Sequence, residues 1–177
     1  MTVLEINHEH GAERPKFPLL VAVSVRTGHE QERIIQIEIG QPIESILVVI
    51  AAERGCAVDE LLLFRDGEID PVPSGTIIGQ NYPHRHRHHV HPNRDVEVIV
   101  HYQADSHRHR FKRFQTVEAV LDWAIPAFGI DPTMAPEFEL ARHEIKEELP
   151  LSEHLGHLAG HQDCLKLDLV RSEMPNG

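Results

Sequence analysis

The chain is 177 residues long, which allows one or two domains. If this length is divided between two domains, each would bury only a modest core. Its formal net charge is −11 with the 15 histidines counted as neutral, and this acidic balance argues against nucleic acid as the main partner. No stretch approaches the roughly 18 consecutive apolar residues of a transmembrane helix, so we expect no membrane-spanning segment and no membrane partner.

Residues 1–16 mix charges, histidine and glycine with one proline, and we interpret them as a flexible leader. They lack the apolar run of a signal peptide. Cys56 and Cys164 occupy unrelated places in the two halves, which is no disulfide framework and fits a reducing compartment. We therefore expect structural thiols in a cytoplasmic protein.

The first half begins with two predicted strands and a helix. Leu19–Arg26 places apolar residues at alternate positions and Ile34–Ile39 does the same, which predicts a hairpin. Pro42–Gly55 then carries apolar residues at helical spacing, with Pro42 in the first turn and Gly55 at the end. The apolar stripe of this helix consists of Ile43, Ile46, Leu47 and Ile50.

The remainder of the first half is predicted to contain two more strands. Leu61–Arg65 is the third strand, and Asp66–Gly67 after it is a strong turn signal. We expect a short helical turn within Gly75–Tyr82 and a last strand at His84–His91. The predicted order is therefore strand, strand, helix, strand, short turn and strand.

The second half repeats this order around a predicted helix at Gln115–Ile130. Val117 lies 74 residues after Ile43, and Gly129 lies 74 residues after Gly55, so one pattern recurs at the spacing of a small domain. The apolar stripe of the second helix consists of Val117, Val120, Leu121 and Ala124. The other predicted segments are strand Val96–Gln103, loop Ala104–His107, strand Arg108–Phe114, strand Phe138–Ile145, a loop with a short turn of helix at Leu149–Gly160, and strand Leu165–Val170.

Two such units predict an α+β protein with two tandem β-grasp domains, each a mixed sheet with one covering helix. The hairpin supplies an apolar sheet face, and the helix stripe covers it. The last strand of each unit must return parallel to the first, because a long crossover connection separates them. We place the N-terminal domain at 17–92, a short linker at 93–95, the C-terminal domain at 96–170 and a tail at 171–177.

The second half resembles ubiquitin at several points. Thr116–Glu118 opens the helix and Gly129–Ile130 closes it, as in the helix of ubiquitin. Leu151–Leu155 resembles the Leu-Ser-Asp-Tyr turn of ubiquitin, and Cys164–Val170 is similar to its last strand. The first half is similar more loosely. Tandem ubiquitin-like domains with a very short linker resemble the interferon-induced two-domain modifier of vertebrates and the modifier of bacterial antiphage Bil operons, and the divergent sequence favours the bacterial type.

This resemblance implies a protein modifier with no catalytic residues and no cofactor of its own. The carboxylate of Gly177 would be adenylated and then passed as a thioester to enzyme cysteines, and a residue without Cβ can thread a narrow enzyme channel. The partners would be activating-like and conjugating-like enzymes, a deconjugating or processing protease, and target proteins. The tail departs from the two terminal glycines of ubiquitin, since this chain ends in one glycine and contains a proline. The tail residues expected to be recognised by the enzymes are Arg171, Met174, Pro175 and Asn176.

A run rich in histidine and arginine, His84–His91, is the sharpest local feature. On a strand, His84, His86 and His88 would share one face, and imidazoles at alternate positions can chelate a divalent metal ion. Two arginines in the run oppose a cation, and the run contains no cysteine or carboxylate, so we expect no physiological metal site. The three histidines remain a candidate docking or weak metal-binding patch, with a solvated, pH-sensitive strand face as the alternative.

Other functions stay open at this point. In a non-conjugated scaffold or binding module the tail would be dispensable, and the histidine-rich strand or a sheet surface would bind the partner. A sulfur carrier with a terminal thiocarboxylate is a third alternative, against which the tandem architecture argues. We find no motif of a hydrolase, nucleotide-binding enzyme or metalloprotease, so we do not expect an enzyme.

Trp123 lies off the main helix stripe and is expected to be half-buried or to lie in an interdomain or partner contact.

Overall fold

The computed structural model of the chain describes residues 18–28, 31–79, 82 and 85–172. The first repeat contains β1 (Leu20–Thr27), β2 (Arg33–Glu38), α1 (Ser45–Arg54), β3 (Leu61–Arg65) and β4 (His88–Pro92). The second repeat contains β5 (Asp95–Tyr102), β6 (Asp105–Lys112), α2 (Val117–Ala127), β7 (Phe138–Arg142), α3 (Leu155–Ala159) and β8 (Cys164–Arg171). Short 3₁₀ turns at Val58–Glu60 and Pro132–Glu137 precede β3 and β7.

Each repeat forms one four-stranded mixed sheet, and the strand order is the same in both. The order is β2-β1-β4-β3 in the first sheet and β6-β5-β8-β7 in the second. The last strand of each repeat runs parallel to the first strand and antiparallel to the third. The prediction of two tandem β-grasp domains, each with a helix on a mixed sheet, is confirmed.

Both predicted helix stripes are buried, and each lies over the apolar face of its own sheet. In the first domain the stripe packs with inward residues such as Val23 and Leu63, and in the second with Val98 and Leu167. These contacts form two separate hydrophobic clusters, one for each domain. Among the described residues, no helix is both long enough and apolar enough to cross a membrane.

Three predictions about the first repeat are wrong. The helix expected to begin at Pro42 begins at Ser45, because Pro42 is held in a β-bridge before the helix. The last strand, predicted at His84–His91, begins only at His88, because a turn at residues 85–86 precedes it. The helical turn expected in Gly75–Tyr82 does not occur in the described part of that range. Ile77 instead forms a β-bridge with Pro42, so this segment is held in an extended conformation against the chain before α1.

The hairpin of the second repeat is tighter than predicted. A loop was expected at Ala104–His107, but β6 already begins at Asp105, whose partner across the turn is Tyr102. Gln103 in the turn has φ = 55°, the left-handed conformation that short hairpin turns require. The loop prediction is therefore wrong, and the first half of β6 carries polar residues because it lies at the exposed edge of the sheet.

Two further segments of the second repeat are shorter than predicted. The helix expected within Gln115–Ile130 ends at Ala127, and Gly129 follows it with φ = 65°. Pro126 lies in its last turn, where its missing N–H weakens helix continuation. The strand expected at Phe138–Ile145 ends at Arg142, because the chain turns there.

Trp123 is half-buried, as the sequence predicts for an aromatic residue beside the helix stripe. Its ring lies 5.3 Å from that of His109 and 5.8 Å from that of Phe111, both in β6. The contacts of Trp123 described here are thus within the second domain.

The two domains pack through the outer face of the first sheet. Phe64 of β3 is fully buried without belonging to the first core, and its ring centroid lies 4.8 Å from that of Phe114 in the second domain. Arg26 of β1 forms a salt bridge of 3.1 Å with Glu153, which precedes α3. The helix α3 lies against β4, and this contact brings histidines of the two domains together.

Candidate functional site

The last strand, β8, carries the chain toward its C-terminal residues. Because β8 lies between β5 and β7, both of its edges are hydrogen-bonded, and Leu165, Leu167 and Leu169 point into the core. Burial on one face and pairing on both edges hold this strand firmly in the second domain. The strand therefore provides a rigid base for the residues that follow it.

Backbone and side-chain contacts continue to the last described residue, Ser172. Its backbone N–H donates to the carbonyl of Glu137 at 2.8 Å, and its hydroxyl donates to the carboxylate of Glu139 at 3.1 Å. Arg171 is exposed, and its guanidinium lies 5.7 Å from the centre of the Phe138 ring. The chain is thus anchored on β7 and on the residue before it, up to five residues before Gly177.

The structure describes one of the residues predicted for enzyme recognition, Arg171 at the end of β8. Met174, Pro175, Asn176 and the predicted conjugation residue Gly177 lie outside the described residues. Their assignment stays a prediction.

The predicted histidine patch is divided by the start of β4. His84 lies outside the described residues, and His86 is exposed in the turn before the strand. His88 is fully buried, and its Nε2 lies 2.9 Å from the hydroxyl of Tyr82. His86 and His88 therefore do not share one exposed strand face.

A second group of histidines lies buried between the domains, and two of its four members come from the run His84–His91. His89 and His91 come from β4, while His154 and His157 come from the start and middle of the α3 region. One ring nitrogen of each lies within 4.8 Å of those of the other three. We call these four residues the interdomain histidine cluster.

Two hydrogen bonds join the cluster across the domain interface. Nδ1 of His89 lies 2.9 Å from Nε2 of His157, and Nε2 of His91 lies 2.9 Å from Nδ1 of His154. Each histidine is at least nine-tenths buried, with exposed fractions between 0% and 9%. Two imidazoles can share one hydrogen bond when one ring donates and the other accepts, so neutral rings satisfy both pairs.

Burial is the main influence on the pKa values of three of these histidines, His91, His154 and His157. It lowers the pKa of His154 to about 4 and that of His157 to about 2, and it holds the pKa of His91 well below its usual range. Positive charge on neighbouring histidines and on Arg26 acts in the same direction on His154 and His157. These three rings are therefore uncharged at neutral pH, which suits both imidazole pairing and metal coordination.

The sequence does contain a signal for this cluster, in the spacing of the two pairs. His89 and His91 are two residues apart on a strand, and His154 and His157 are three residues apart near a helix. Each spacing places two rings on the same side of its element. Only the packing of the domains shows that the two pairs face each other, because the hydrogen-bonded partners are separated by 63 and 68 residues in sequence.

The comparison with known protein families concerns the second domain. Residues 97–172 match the family model of BilA ubiquitin-like domain 2. The chain has no match among curated proteins. Among solved structures, it is similar to a ubiquitin of Caldiarchaeum subterraneum, with 16% identity over 48% of this chain and 100% of that chain and a TM-score of 0.38.

A further similar structure is the N-terminal ubiquitin-like domain in the 4931431F19Rik protein. The identity is 15%, over 48% of this chain and 81% of that chain, with a TM-score of 0.37. The family match runs from the third residue of β5 to the residue after β8, so it covers the whole sheet of the second domain apart from its first two residues. The chain thus has two tandem β-grasp domains of the ubiquitin-like fold, and its second domain is similar to the second ubiquitin-like domain of BilA.

Proposed function

We propose that the chain is a ubiquitin-like protein modifier, activated at Gly177 and attached to amines of target proteins, in bacterial antiphage defence. The observation that carries this proposal is the match of residues 97–172 to BilA ubiquitin-like domain 2. The matched domain contains β8, the strand from which the C-terminal tail continues. The modifier would act in the cytoplasm, where its activating-like and conjugating-like enzymes and a deconjugating or processing protease would also lie.

The chemistry at Gly177 would proceed in four substitutions. The carboxylate attacks the α-phosphate of ATP, which forms an acyl adenylate and releases pyrophosphate. A thiolate of the activating enzyme displaces AMP to form a thioester, which a conjugating enzyme receives by exchange between two thiols. The amine of a target lysine then displaces the thiol and forms an isopeptide bond. The chain itself would supply the acyl group and the recognition surface, and the enzymes would supply the nucleophiles.

The direct test combines the purified chain with its activating and conjugating enzymes and ATP. We expect an ATP-dependent adduct that an excess of a small thiol cleaves by exchange at the thioester, and we expect it to disappear when Gly177 is deleted. Thermal unfolding of the deletion variant should match that of the parent chain, because Gly177 lies five residues beyond the last described contact. If active enzymes form no adduct with the parent chain, the proposal is wrong.

The two free cysteines of the chain require a control. Cys56 and Cys164 are both half-buried, and a mixed disulfide through either one would also be cleaved by a small thiol. The variant Cys56→Ser/Cys164→Ser should form the same adduct as the parent chain if the adduct is a thioester at Gly177. An adduct that depends on either cysteine would contradict the proposed chemistry.

The same experiment distinguishes the two alternative functions. A scaffold or binding module would form complexes that persist without ATP and without Gly177. A sulfur carrier would exchange one carboxylate oxygen of Gly177 for sulfur, which mass spectrometry of the intact chain would detect. The ubiquitin-like domains favour a modifier or a scaffold over an enzyme.

A further inference from the structure

The interdomain histidine cluster contains four nitrogen donors that converge from two domains. The four ring nitrogens already lie within 4.8 Å of one another. In a tetrahedral zinc site with Zn–N distances of 2.0–2.1 Å, the nitrogens are roughly 3.3 Å apart. The two pairs now separated by 2.9 Å would open slightly, and the longest separations would shorten by roughly 1.5 Å. Rotations of the rings about their side-chain bonds can provide movements of this size.

A carboxylate outside the cluster orients one of the four rings. Oδ1 of Asp66 lies 2.8 Å from Nε2 of His89, on the side of the ring away from His157. Since a carboxylate only accepts hydrogen bonds, Nε2 carries the proton when the ring is neutral, and Nδ1 then presents a lone pair to the cluster. Histidine ligands of metal ions commonly have such a carboxylate partner, which fixes the tautomer and raises the basicity of the ligand.

A glycine in α3 allows the rings to approach each other. A Cβ atom added at Gly156 would lie 2.4 Å from Nδ1 of His91, which is closer than real Cβ contacts occur. Gly156 lies between His154 and His157, so its missing side chain permits the β4 histidines to reach both of them. The close approach thus depends on a residue type that is otherwise unfavourable within a helix.

The nearby positive charges are paired and do not occupy the cluster. Arg26 forms its salt bridge with Glu153, and Arg113 donates to the carbonyls of Gly160 and Gln162 and to Asp163. Both guanidinium groups are thus directed to oxygen acceptors outside the four rings. Their carboxylate partners offset part of the repulsion that a divalent cation would experience.

We propose that His89, His91, His154 and His157 bind one Zn²⁺ ion between the two domains, with Asp66 as the hydrogen-bonded partner of His89. Four imidazole nitrogens suit zinc and other borderline divalent ions, and the tetrahedral arrangement has no ligand position open to a substrate. The ion is therefore structural. It ties the last strand of the first domain to the α3 segment of the second and fixes the orientation of the two domains. This site is independent of the chemistry proposed at Gly177.

The test uses the full chain, produced without a polyhistidine tag and stripped of metal, and titrates it with Zn²⁺ in a calorimeter. We expect one tight site per chain and a higher thermal midpoint with Zn²⁺, because an ion that binds the folded state stabilises it. The ligand variant His154→Gln/His157→Gln should lower the affinity by at least 100-fold and remove the thermal shift. Co²⁺ bound to the parent chain should give the intense visible absorption of a tetrahedral site.

Two further variants keep the test decisive. His107→Gln/His109→Gln removes two exposed histidines from β6 and should leave the tight site unchanged, which controls for loose binding by the many surface histidines. Asp66→Ala removes a carboxylate that is 55% exposed, so folding should persist while the zinc affinity falls by about 10–100-fold. Equal zinc affinity in the parent chain and the ligand variant would overturn the proposal, and so would an unchanged affinity in Asp66→Ala.

Discussion

The last strands of the two domains, β4 and β8, occupy the same position in the same fold but have different burial. In β8, buried leucines alternate with half-buried or exposed residues such as Lys166 and Asp168, which is the pattern of a sheet with one solvated face. In β4, His88, His89, Val90 and His91 are all buried. The first sheet is therefore covered on both faces at this strand, once by its own helix and once by the second domain.

The neighbouring strands, β3 and β7, also differ on the outer face of their sheets, and here the difference is the size of one side chain. Both are five-residue strands with the same pattern of burial, and the fourth position is Phe64 in β3 and Ala141 in β7. Phe64 reaches the ring of Phe114 in the other domain. The first domain thus uses its outer sheet face for the second domain, whereas the corresponding face of the second domain carries polar side chains such as His101, His143 and Asp168.

The segments before the last strands explain how the contact arises. In the second domain this segment contains α3, and His154 just before it forms a β-bridge with Thr116 at the start of α2. In the first domain the corresponding bridge joins Ile77 to Pro42. Both repeats thus contain this bridge. In the second repeat α3 follows it, and His157 of α3 contacts His89 of the first domain.

A charge under each helix would have the largest expected effect and would show whether the two cores are independent. Ile46 and Val120 take the same place in the two helix stripes, and both are completely buried. Ile46→Asp should destabilise the first domain by about 4 kcal/mol or more, because an unpaired buried carboxylate loses its solvation. Val120→Asp should do the same to the second. Urea unfolding followed by circular dichroism measures both.

The matched control places the same charge on the exposed side of the first helix, in Val48→Asp. Val48 is 54% exposed, so this variant should unfold close to the parent chain. If Ile46→Asp unfolded like Val48→Asp, the assignment of the buried helix face would be wrong. A loss of structure in both domains from either core variant would show that the docked domains unfold as one unit.

The periodic parts of this fold were predictable because each has one buried face. Ile46 and Val120 recur at the same offset in two helices, and the alternation of leucines in β8 identifies a half-buried strand. β4 has no such alternation, since its two faces are buried by different domains. The sequence therefore predicts the start of β4 four residues too early, at His84 instead of His88.

The interdomain histidine cluster was less predictable, for a physical reason. Its members come from two domains, and each pair separately is also consistent with an exposed face. Hydrogen bonds such as that between His91 and His154 depend on how the domains pack, and local sequence patterns do not encode that packing. The glycine at 156 carried no signal in the sequence, because its role is visible only as a short distance to His91.

Gly156→Ala should have an intermediate effect. It changes the contact between α3 of the second domain and β4 of the first, which is the contact that buries the outer face of β4. The added Cβ would overlap the ring of His91, so the domains must separate slightly or the ring must move. We expect a loss of about 1–3 kcal/mol in the free energy of unfolding, which is typical of overpacking, measured by urea unfolding. Gly79→Ala is the matched control, because a Cβ at Gly79 meets no atom within 4 Å. Equal stability of the two variants would contradict the tight packing described for α3.

The smallest expected effect concerns the salt bridge between Arg26 and Glu153, which joins β1 of the first domain to the segment before α3. Their side chains are 31% and 17% exposed, and two N–O contacts of 3.1 and 3.3 Å connect them. A double-mutant cycle with Arg26→Ala and Glu153→Ala should give a coupling of about 0.5–1 kcal/mol in the free energy of unfolding, which is the upper part of the range measured for solvent-accessible ion pairs. The coupling should weaken as salt is added, because salt screens the two charges. The more exposed pair of Arg33 and Glu53, which lies within the first domain, provides the comparison and should give a smaller coupling. If the interdomain pair shows no coupling at low salt, this ion pair adds nothing to the stability of the interface, and the contacts of Phe64 and of the histidines hold the domains together without its help.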